Sequence, residues 1–229
     1  MKMKAVITST FVLAVLMFGI STVNGQTEYS KFELFGGYSY MNLNRGVDPD
    51  EFNDDFSDFP SNRVNAHGFN GSVTYNFKRY IGVKFDVTLH SYGEDFNSIL
   101  IVNPPVNTSQ TFKTSQNIYQ YMGGIQLKNN AKDGPKVKPF AHVLMGVADQ
   151  HFSIDQSNGT RLLDLNSTDF AMKFGGGVDV KVHKNIDIRA IGFDWNPIMR
   201  GDVNVGGRFG TVGGVLQNNW LLNFGVVIH

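Results

Sequence analysis

The sequence predicts an all-β fold, an eight-stranded antiparallel transmembrane β-barrel with short periplasmic turns and long extracellular loops. The chain contains 25 Gly and 19 Phe with only 17% charged residues, a composition that is typical of barrels. Eight segments alternate between apolar and small polar residues with a period of two, which indicates strands whose two faces meet different environments. The connections between these segments alternate between short and long, as in outer-membrane barrels.

The first 25 residues predict a secretory signal peptide. Lys2 and Lys4 precede an apolar run over residues 5–20, and Val23-Asn24-Gly25 supplies small residues before a cleavage site. The apolar run is short for a transmembrane helix. We therefore predict a signal peptide at 1–25 and an outer-membrane β-barrel domain at 26–229.

Charge and cysteine content exclude several classes of protein. The chain has no Cys, which argues against a lipid anchor on cysteine and against a disulfide framework. Without the two signal lysines, the chain has 18 Lys and Arg and 20 Asp and Glu, which gives a net charge of about −2. This balance gives no electrostatic support for binding nucleic acid.

The first strand shows the alternation clearly. One face carries Phe32, Leu34, Gly36, Tyr38 and Tyr40, and the other carries Lys31, Glu33, Phe35, Gly37, Ser39 and Met41. Further strands are predicted at 67–77, 81–89, 119–127, 137–147, 170–182, 186–195 and 220–228. The phase of the fifth strand stays open because residues 137–147 are apolar on both faces. The alternation changes phase within 186–195, and a β-bulge near Gly192 explains the change.

The connections differ in length at the two ends of the predicted barrel. Short turns are expected at 78–80 and 183–185, with a modest turn at 128–136. Loops of roughly twenty residues or more are expected at 43–66, 90–118, 148–169 and 196–219, well beyond ordinary hairpin loops.

The apolar strand faces are expected to meet lipid. A soluble ligand-binding barrel, the alternative, would turn charged faces to water, whereas the polar faces here are rich in Gly, Ser, Thr, Asn and Gln. Those residues suit a lumen. Tyr40, Trp195 and Trp220 fall near the loop ends of their strands, where an aromatic girdle is expected.

Four segments carry a family resemblance: FELFGGYSYMNL, KPFAHVLMGVA, FGGGVDVKVHKNIDIRAIGFDW and QNNWLLNFGVVIH. In these the chain resembles the OmpA-like eight-stranded outer-membrane β-barrel proteins, of the small-porin type, over the whole mature chain. The resemblance implies the bacterial outer membrane, contact with its lipids, and assembly by the barrel-assembly machinery through the C-terminal strand. No separate peptidoglycan-binding domain is expected. The chain ends in Ile228-His229, where such strands typically end in Phe.

Metal and cofactor sites are not predicted. The six histidines lack HExxH spacing, and the acidic segment 45–59 fails the EF-hand template, which needs Gly at its sixth and Glu at its twelfth position. Whether this acidic first loop binds cations stays open. We expect no cofactor.

An enzymatic alternative rests on His151, Ser153 and Asp164. The first two residues share a strand face, so nucleophile and base geometry is possible, and lipid A-modifying barrels of similar size use such a set. However, no motif fixes the distance in sequence between this pair and the carboxylate of Asp164. We expect a non-enzymatic protein with a structural or surface-interaction role, and keep a narrow solute channel as the main alternative.

The lumen is expected to be filled by ion pairs. A symmetric turn at 183–185 sets Asp179 opposite Arg189 and Lys181 opposite Asp187, with Val178, Val180 and Val182 meeting Ala190, Ile188 and Ile186 on the lipid side. Lys84 and Asp86, with Lys31 and Glu33, extend this filling. An eight-stranded barrel is only wide enough for its own side chains, so the prediction is a plugged lumen.

Overall fold

A computed structural model gives the fold of residues 29–44, 63–102, 106–201, 203–204, 211–212 and 214–229. The predicted signal peptide and the acidic segment 45–59 lie outside these described residues. No helix in the described ranges is long and apolar enough to span a membrane.

Eight long antiparallel strands close into a barrel, as predicted, in the order β1-β10-β7-β6-β5-β4-β3-β2. A small two-stranded sheet, β8 (Val203–Asn204) with β9 (Thr211–Val212), lies apart from it. The barrel strands are β1 (Phe32–Asn44), β2 (Arg63–Asn76), β3 (Ile81–Val102), β4 (Val106–Lys128), β5 (Val137–Gln156), β6 (Arg161–His183), β7 (Ile186–Arg200) and β10 (Val215–Ile228).

The two faces of each strand differ as the alternation predicted. On β1, Phe32, Leu34 and Tyr38 are exposed on the outside of the barrel, while Glu33 and Phe35 are buried in the lumen. The same division holds around the barrel, because exposed aliphatic and aromatic side chains cover the outside and most buried polar side chains point inward. A soluble barrel would show the reverse arrangement, so the soluble alternative is wrong.

Strand β5 has one clear phase. Lys138, Phe140, His142 and Leu144 are buried and point inward, while the odd-numbered residues from Val137 to Val147 are outside. The sequence left this phase open because both faces contain apolar residues. In the structure two of the inward residues, Phe140 and Leu144, fill the lumen.

The predicted bulge is present in β7. Val178 pairs with Ile191 and Asp179 with Arg189, so Ala190 has no partner on β6. The register against β10 shifts at the same place, between Asn223 and Gly225. Ala190 and Ile191 are both exposed, and Gly192 then points inward. The extra residue moves the inward positions from odd numbers, such as Asp187 and Arg189, to even numbers, such as Gly192 and Asp194. Polar side chains therefore point inward on both sides of the bulge.

Two of the predicted long loops are largely strand, and here the prediction was wrong. Strands β3 and β4 stay paired up to Val102 and Val106, and β5 and β6 up to Asp155 and Arg161. Polar and apolar residues are mixed on both faces of these extensions, so the period of two is lost. Beyond the membrane neither face has to be apolar.

Candidate functional site in the barrel lumen

Buried charges cross the lumen near the short turns. Lys128 donates to Glu33 of β1 and to Asp179 of β6, each at 2.8 Å, and lies 3.8 Å from Asp187 of β7. Lys138 of β5 donates to Asp187 at 2.9 Å. We call Glu33, Lys128, Lys138, Asp179, Asp187 and Arg189 the turn-end network. Its ion pairs connect β1, β4, β5, β6 and β7 across the interior.

Arg189 is held between two aromatic rings. Its guanidinium carbon lies 4.0 Å from the ring centroid of Phe35 and 4.1 Å from that of Phe140. The guanidinium also donates to both carboxylate oxygens of Asp179, at 2.9 and 3.3 Å. Stacking and bidentate pairing suit the planar guanidinium. The three side chains of β1, β5 and β7 therefore form a block in the lumen, the aromatic-arginine stack.

Inward-facing glycines make room for this stack. A Cβ atom on Gly225 would lie 2.9 Å from the Phe35 ring, and one on Gly177 would lie 2.9 Å from the Phe140 ring. At Gly192 a Cβ would lie 3.4 Å from the Arg189 side chain. The abundance of glycine on the polar strand faces thus has a steric reason, since large side chains on other strands occupy the space.

A second group of charges, the mid-barrel network, consists of Lys84, Asp86, His142, Lys173 and Asp194. Lys173 donates to Asp86 at 2.7 Å from β6 to β3, and His142 lies 2.9 Å from Asp194. Lys84 is 3.7 Å from Asp86, a looser contact than that of Lys173. All five side chains are buried, so these charges neutralise each other inside the barrel.

Amides and apolar side chains fill the lumen toward the loop end. Gln120 donates to Asn196 at 2.7 Å, and Gln150 donates to Gln217 at 3.1 Å, both between strands that are not neighbours. An apolar cluster at this end is formed by Met41, Leu43, Val64, Ala66, Ile118 and Leu221. It draws on β1, β2, β4 and β10, about half of the barrel circumference.

The structure brings together one of the two predicted cross-strand ion pairs, Asp179 with Arg189. Lys181 does face Asp187 in register, but its Nζ donates to the carbonyl oxygen of Lys132 at 2.7 Å. Asp187 is instead bound by Lys138 and by His229, at 2.9 and 2.7 Å. The predicted Lys181–Asp187 pair is therefore wrong, because Lys181 points toward the turn while residues from β5 and the chain end reach the carboxylate.

The predicted register on the lipid side holds at one of three positions. Val180 faces Ile188, but Val178 faces Ile191 because the bulge inserts Ala190. Near the turn, a second shift places His183 opposite Ile186. Of the remaining predicted filling, Glu33 is in the turn-end network, and Lys31 is half-buried just before β1.

The three predicted girdle residues lie on the outside of the barrel. Trp195 and Trp220 are register partners with ring centroids 6.5 Å apart, and they stack on Phe174 and Phe193 respectively. Tyr40, on the next strand, is half-buried with its ring 5.6 Å from His67. The three rings thus lie on the neighbouring strands β7, β10 and β1.

The residues of the enzymatic alternative lie beyond the girdle, on the β5–β6 hairpin. His151 Nδ1 is 2.5 Å from Asn166 Oδ1 and 3.5 Å from Asp164, while the Ser153 hydroxyl faces that of Ser115 at 3.4 Å. Asp164 accepts from Arg161. Within the described ranges, no group of three His, Cys, Asp or Glu residues is arranged to hold a metal ion.

Arg161 forms two ion pairs on this hairpin. It donates to Asp155 and Asp164, both at 3.0 Å, and these bonds raise the pKa of its guanidinium. Together with Lys113 it lines an open cleft near the hairpin tip.

Several members of the networks were not identified from the sequence. Lys128 was assigned to a turn, and Lys138 and His142 lie on the strand of open phase. Lys173 and Asp194 carried a signal, since they fall on the polar faces of predicted strands. Their partners are on distant strands, which a pattern within one strand cannot reveal.

The comparisons with known proteins agree with this architecture. The family model described as outer membrane protein beta-barrel domain matches residues 10–225. No curated protein sequence matches the chain. Neisserial surface protein A is 13% identical, with 88% of this chain and 99% of that chain covered and a TM-score of 0.53.

Two other solved barrels are similar at lower TM-scores. Ail, the attachment invasion locus protein of Yersinia pestis, solved with the heparin analogue sucrose octasulfate, is 14% identical, with 86% and 97% of the two chains covered and a TM-score of 0.48. OprG of Pseudomonas aeruginosa is 12% identical, with 89% and 97% covered and a TM-score of 0.47. The family match spans nearly the whole sequence, and the chain belongs to the outer membrane protein beta-barrel domain family.

Proposed function

We propose that the protein is a non-enzymatic barrel of the bacterial outer membrane that is closed to solutes and acts through its structure or its surface. The observation that carries this proposal is the aromatic-arginine stack. Phe35, Phe140 and Arg189 come from three strands that are not neighbours and meet inside the lumen. The mid-barrel network and the apolar cluster add further layers, so a solute of sugar size has no open path.

Long hairpins support a role at the cell surface. A transmembrane strand needs about 9 to 11 residues, whereas β3 and β4 have 22 and 23 residues and β5 and β6 have 20 and 23. Pairing continues across all four strands, with Phe112 of β4 facing Gln156 of β5. Roughly half of this sheet therefore projects beyond the bilayer on the side of the long connections, which is the extracellular side in such barrels.

The geometry of His151, Ser153 and Asp164 on the β5–β6 hairpin favours a non-enzymatic role. A serine hydrolase needs a base within hydrogen-bond distance of the nucleophile, but His151 is directed at Asn166 and Asp164 is held by Arg161. The Ser153 hydroxyl is buried beside Ser115.

Planar-bilayer recording tests the closed lumen. We expect the refolded native chain to show no large stable conductance steps. A variant with Phe35→Ala, Phe140→Ala and Arg189→Ala lacks one of the layers in the lumen and should conduct more than the native chain. Arg161→Gln on the outer hairpin is the matched control and should behave like the native chain. Large steps from the native chain that survive removal of the loops would contradict the proposal and favour the narrow channel.

Replacing residues 46–62 by a Gly-Ser linker tests the surface role. We expect the barrel to fold normally, with heat-dependent electrophoretic mobility retained, and adhesion of cells that display the protein to change. Unchanged adhesion, both for this variant and for one that shortens the β3–β4 hairpin, would argue for a purely structural role.

A further inference from the structure

We propose that the turn end of the barrel binds the phosphate groups of anionic phospholipids in the periplasmic leaflet of the membrane. The three short turns, 77–80, 129–136 and 184–185, contain five basic residues and one acidic residue, Asp133. We call the five the basic rim: Lys78, Arg79, Lys132, Lys136 and Lys184.

No described carboxylate neutralises the charges of the basic rim. All five side chains are exposed, and none of them forms an ion pair among the described residues. Arg79 donates only to the neutral side chain of Asn129, at 3.4 Å. The lumen differs, since Lys128, Lys138, Lys173 and Arg189 each have a carboxylate within 3 Å.

The rim surrounds the barrel end. Its turns connect β2 to β3, β4 to β5, and β6 to β7, and these pairs follow one another around the closed sheet. The Lys181 Nζ donates to the Lys132 carbonyl oxygen at 2.7 Å and fixes the second turn against β6. Five cations are therefore spread around the turn end of the barrel, where several lipid molecules can reach them.

Aromatic side chains mark the membrane boundary beside these cations. Phe77 and Tyr80 are exposed on the outside of the first turn, on either side of Lys78 and Arg79. The Arg79 guanidinium lies 5.3 Å from the Tyr80 ring centroid, and the Tyr29 hydroxyl donates to the Phe77 carbonyl oxygen. Aromatic residues of this kind lie at headgroup level, so the neighbouring cations lie among the headgroups.

The opposite end of the barrel carries both charges. Glu94, Asp95 and Asp164 are exposed there together with Arg63, Lys113 and Arg161. The sequence of the first loop adds Asp48, Asp50, Glu51, Asp54, Asp55 and Asp58. An excess of exposed cations over carboxylates is thus found at the turn end, and it indicates a partner on the periplasmic side.

Phospholipid headgroups fit the rim better than the cell wall does. The turns contain only two to eight residues, and the second is tied back by Lys181, so the cations stay close to the bilayer. A cation at a membrane surface attracts anionic lipid by about 1 kcal/mol, and several such cations act together.

Native mass spectrometry of the refolded mature chain tests the proposal. The protein is released from detergent micelles that contain equal amounts of phosphatidylglycerol and phosphatidylcholine. We expect phosphatidylglycerol to be retained at least about fivefold over phosphatidylcholine, the effect of 1 kcal/mol. A variant with all five rim residues changed to Gln should retain both lipids equally. The control variant changes the loop-end cations Arg63, Lys113, Arg161 and Arg200 to Gln and should keep the preference.

Heat-dependent electrophoretic mobility checks that each variant is folded before lipid is counted. The proposal is overturned if the folded rim variant keeps the preference, or if the loop-end variant loses it to the same extent. It is also overturned if the native chain has no preference for phosphatidylglycerol. Sedimentation of the native chain, but not of the rim variant, with purified peptidoglycan would then identify the cell wall as the partner. None of these results depends on conductance or adhesion, so the proposed function is tested separately.

Discussion

Arg189 connects its own strand to three others, through Asp179 of β6, Phe35 of β1 and Phe140 of β5. A buried cation of this kind is stable only when hydrogen bonds and opposite charge replace its hydration. The carboxylate supplies the charge and the two rings cover the faces of the guanidinium. At the scale of residues, the proposed closure of the lumen and the stability of the barrel thus depend on the same contacts.

Arg189→Gln is expected to lower the free energy of unfolding by about 3 to 5 kcal/mol, because it leaves Asp179 buried with only part of its compensating charge. Reversible urea unfolding in lipid vesicles, followed by tryptophan fluorescence, measures the change. The exposed Arg161→Gln control should leave the unfolding midpoint unchanged. An equal shift in the two variants would show that Arg189 contributes only as a surface charge does.

Two variants test which lysine is the partner of Asp187. Lys138→Gln removes the partner that the structure shows, and Lys181→Gln removes the partner that the register predicts. Lys138 is buried and donates to Asp187 at 2.9 Å, so its loss should cost about 1.5 to 3 kcal/mol, the value of a hydrogen bond to a charged group. Lys181 is half-buried and bonds a carbonyl oxygen near the turn. The same urea titration should show a smaller loss of unfolding free energy for Lys181→Gln. A larger loss than for Lys138→Gln would support the predicted Lys181–Asp187 pair.

At the scale of elements, the strands use glycine in two different ways. Gly36 lies on the outside of β1 and has open space beside it, since no atom lies within 4 Å of the position that a Cβ would take. Gly225, on the facing strand β10, points inward, and a Cβ there would lie 2.3 Å from the Gly36 carbonyl oxygen. Close strand approach and the Phe35 ring both require the missing side chain at Gly225.

Gly225→Ala is expected to destabilise the barrel by about 1 to 3 kcal/mol, the usual cost of overpacking, and to lower the folded fraction after refolding. Gly36→Ala is the matched control on the paired strand and should fold as well as the native chain. The ratio of heat-shifted to unshifted bands in electrophoresis reports the folded fraction. Equal folding of both variants would mean that β1 and β10 have room for the added methyl group.

At the scale of the whole molecule, the outside of the barrel is an apolar band with aromatic residues at both ends. Trp195 and Trp220 are the two tryptophans of the chain, and both lie on the loop-end side of this band. The interior, in contrast, is a series of neutralised charge networks and packed side chains. This reversal of an ordinary protein interior and exterior suits a barrel surrounded by lipid.

Tryptophan quenching by brominated lipids tests that placement. In vesicles, lipids brominated near the headgroup should quench Trp195 and Trp220 more strongly than lipids brominated at the end of the acyl chain, because girdle rings lie at headgroup level. Trp195→Phe and Trp220→Phe variants assign the signal to each ring. Stronger quenching from the centre of the bilayer, or none from any lipid, would contradict the girdle.

The sequence by itself determined the number of barrel strands, the face that meets lipid on every strand except β5, and the position of the bulge. These properties follow from local alternation, because lipid outside and a filled lumen inside impose a period of two on every strand. The sequence also identified Asp179 with Arg189, since a short turn brings neighbouring strands together in a register that can be counted.

Only the tertiary structure decided which side chains meet across the lumen. Lys128 with Glu33, Lys173 with Asp86, and Phe140 with Arg189 join residues whose distance depends on barrel closure and strand stagger. It also decided that Lys181 does not pair with Asp187. Lys138 and His229 bind this carboxylate instead, and they come from β5 and the end of the chain, which the register of β6 with β7 does not include. The physical reason is that alternation assigns a side chain to a face, whereas closing the sheet determines its partner on the opposite wall.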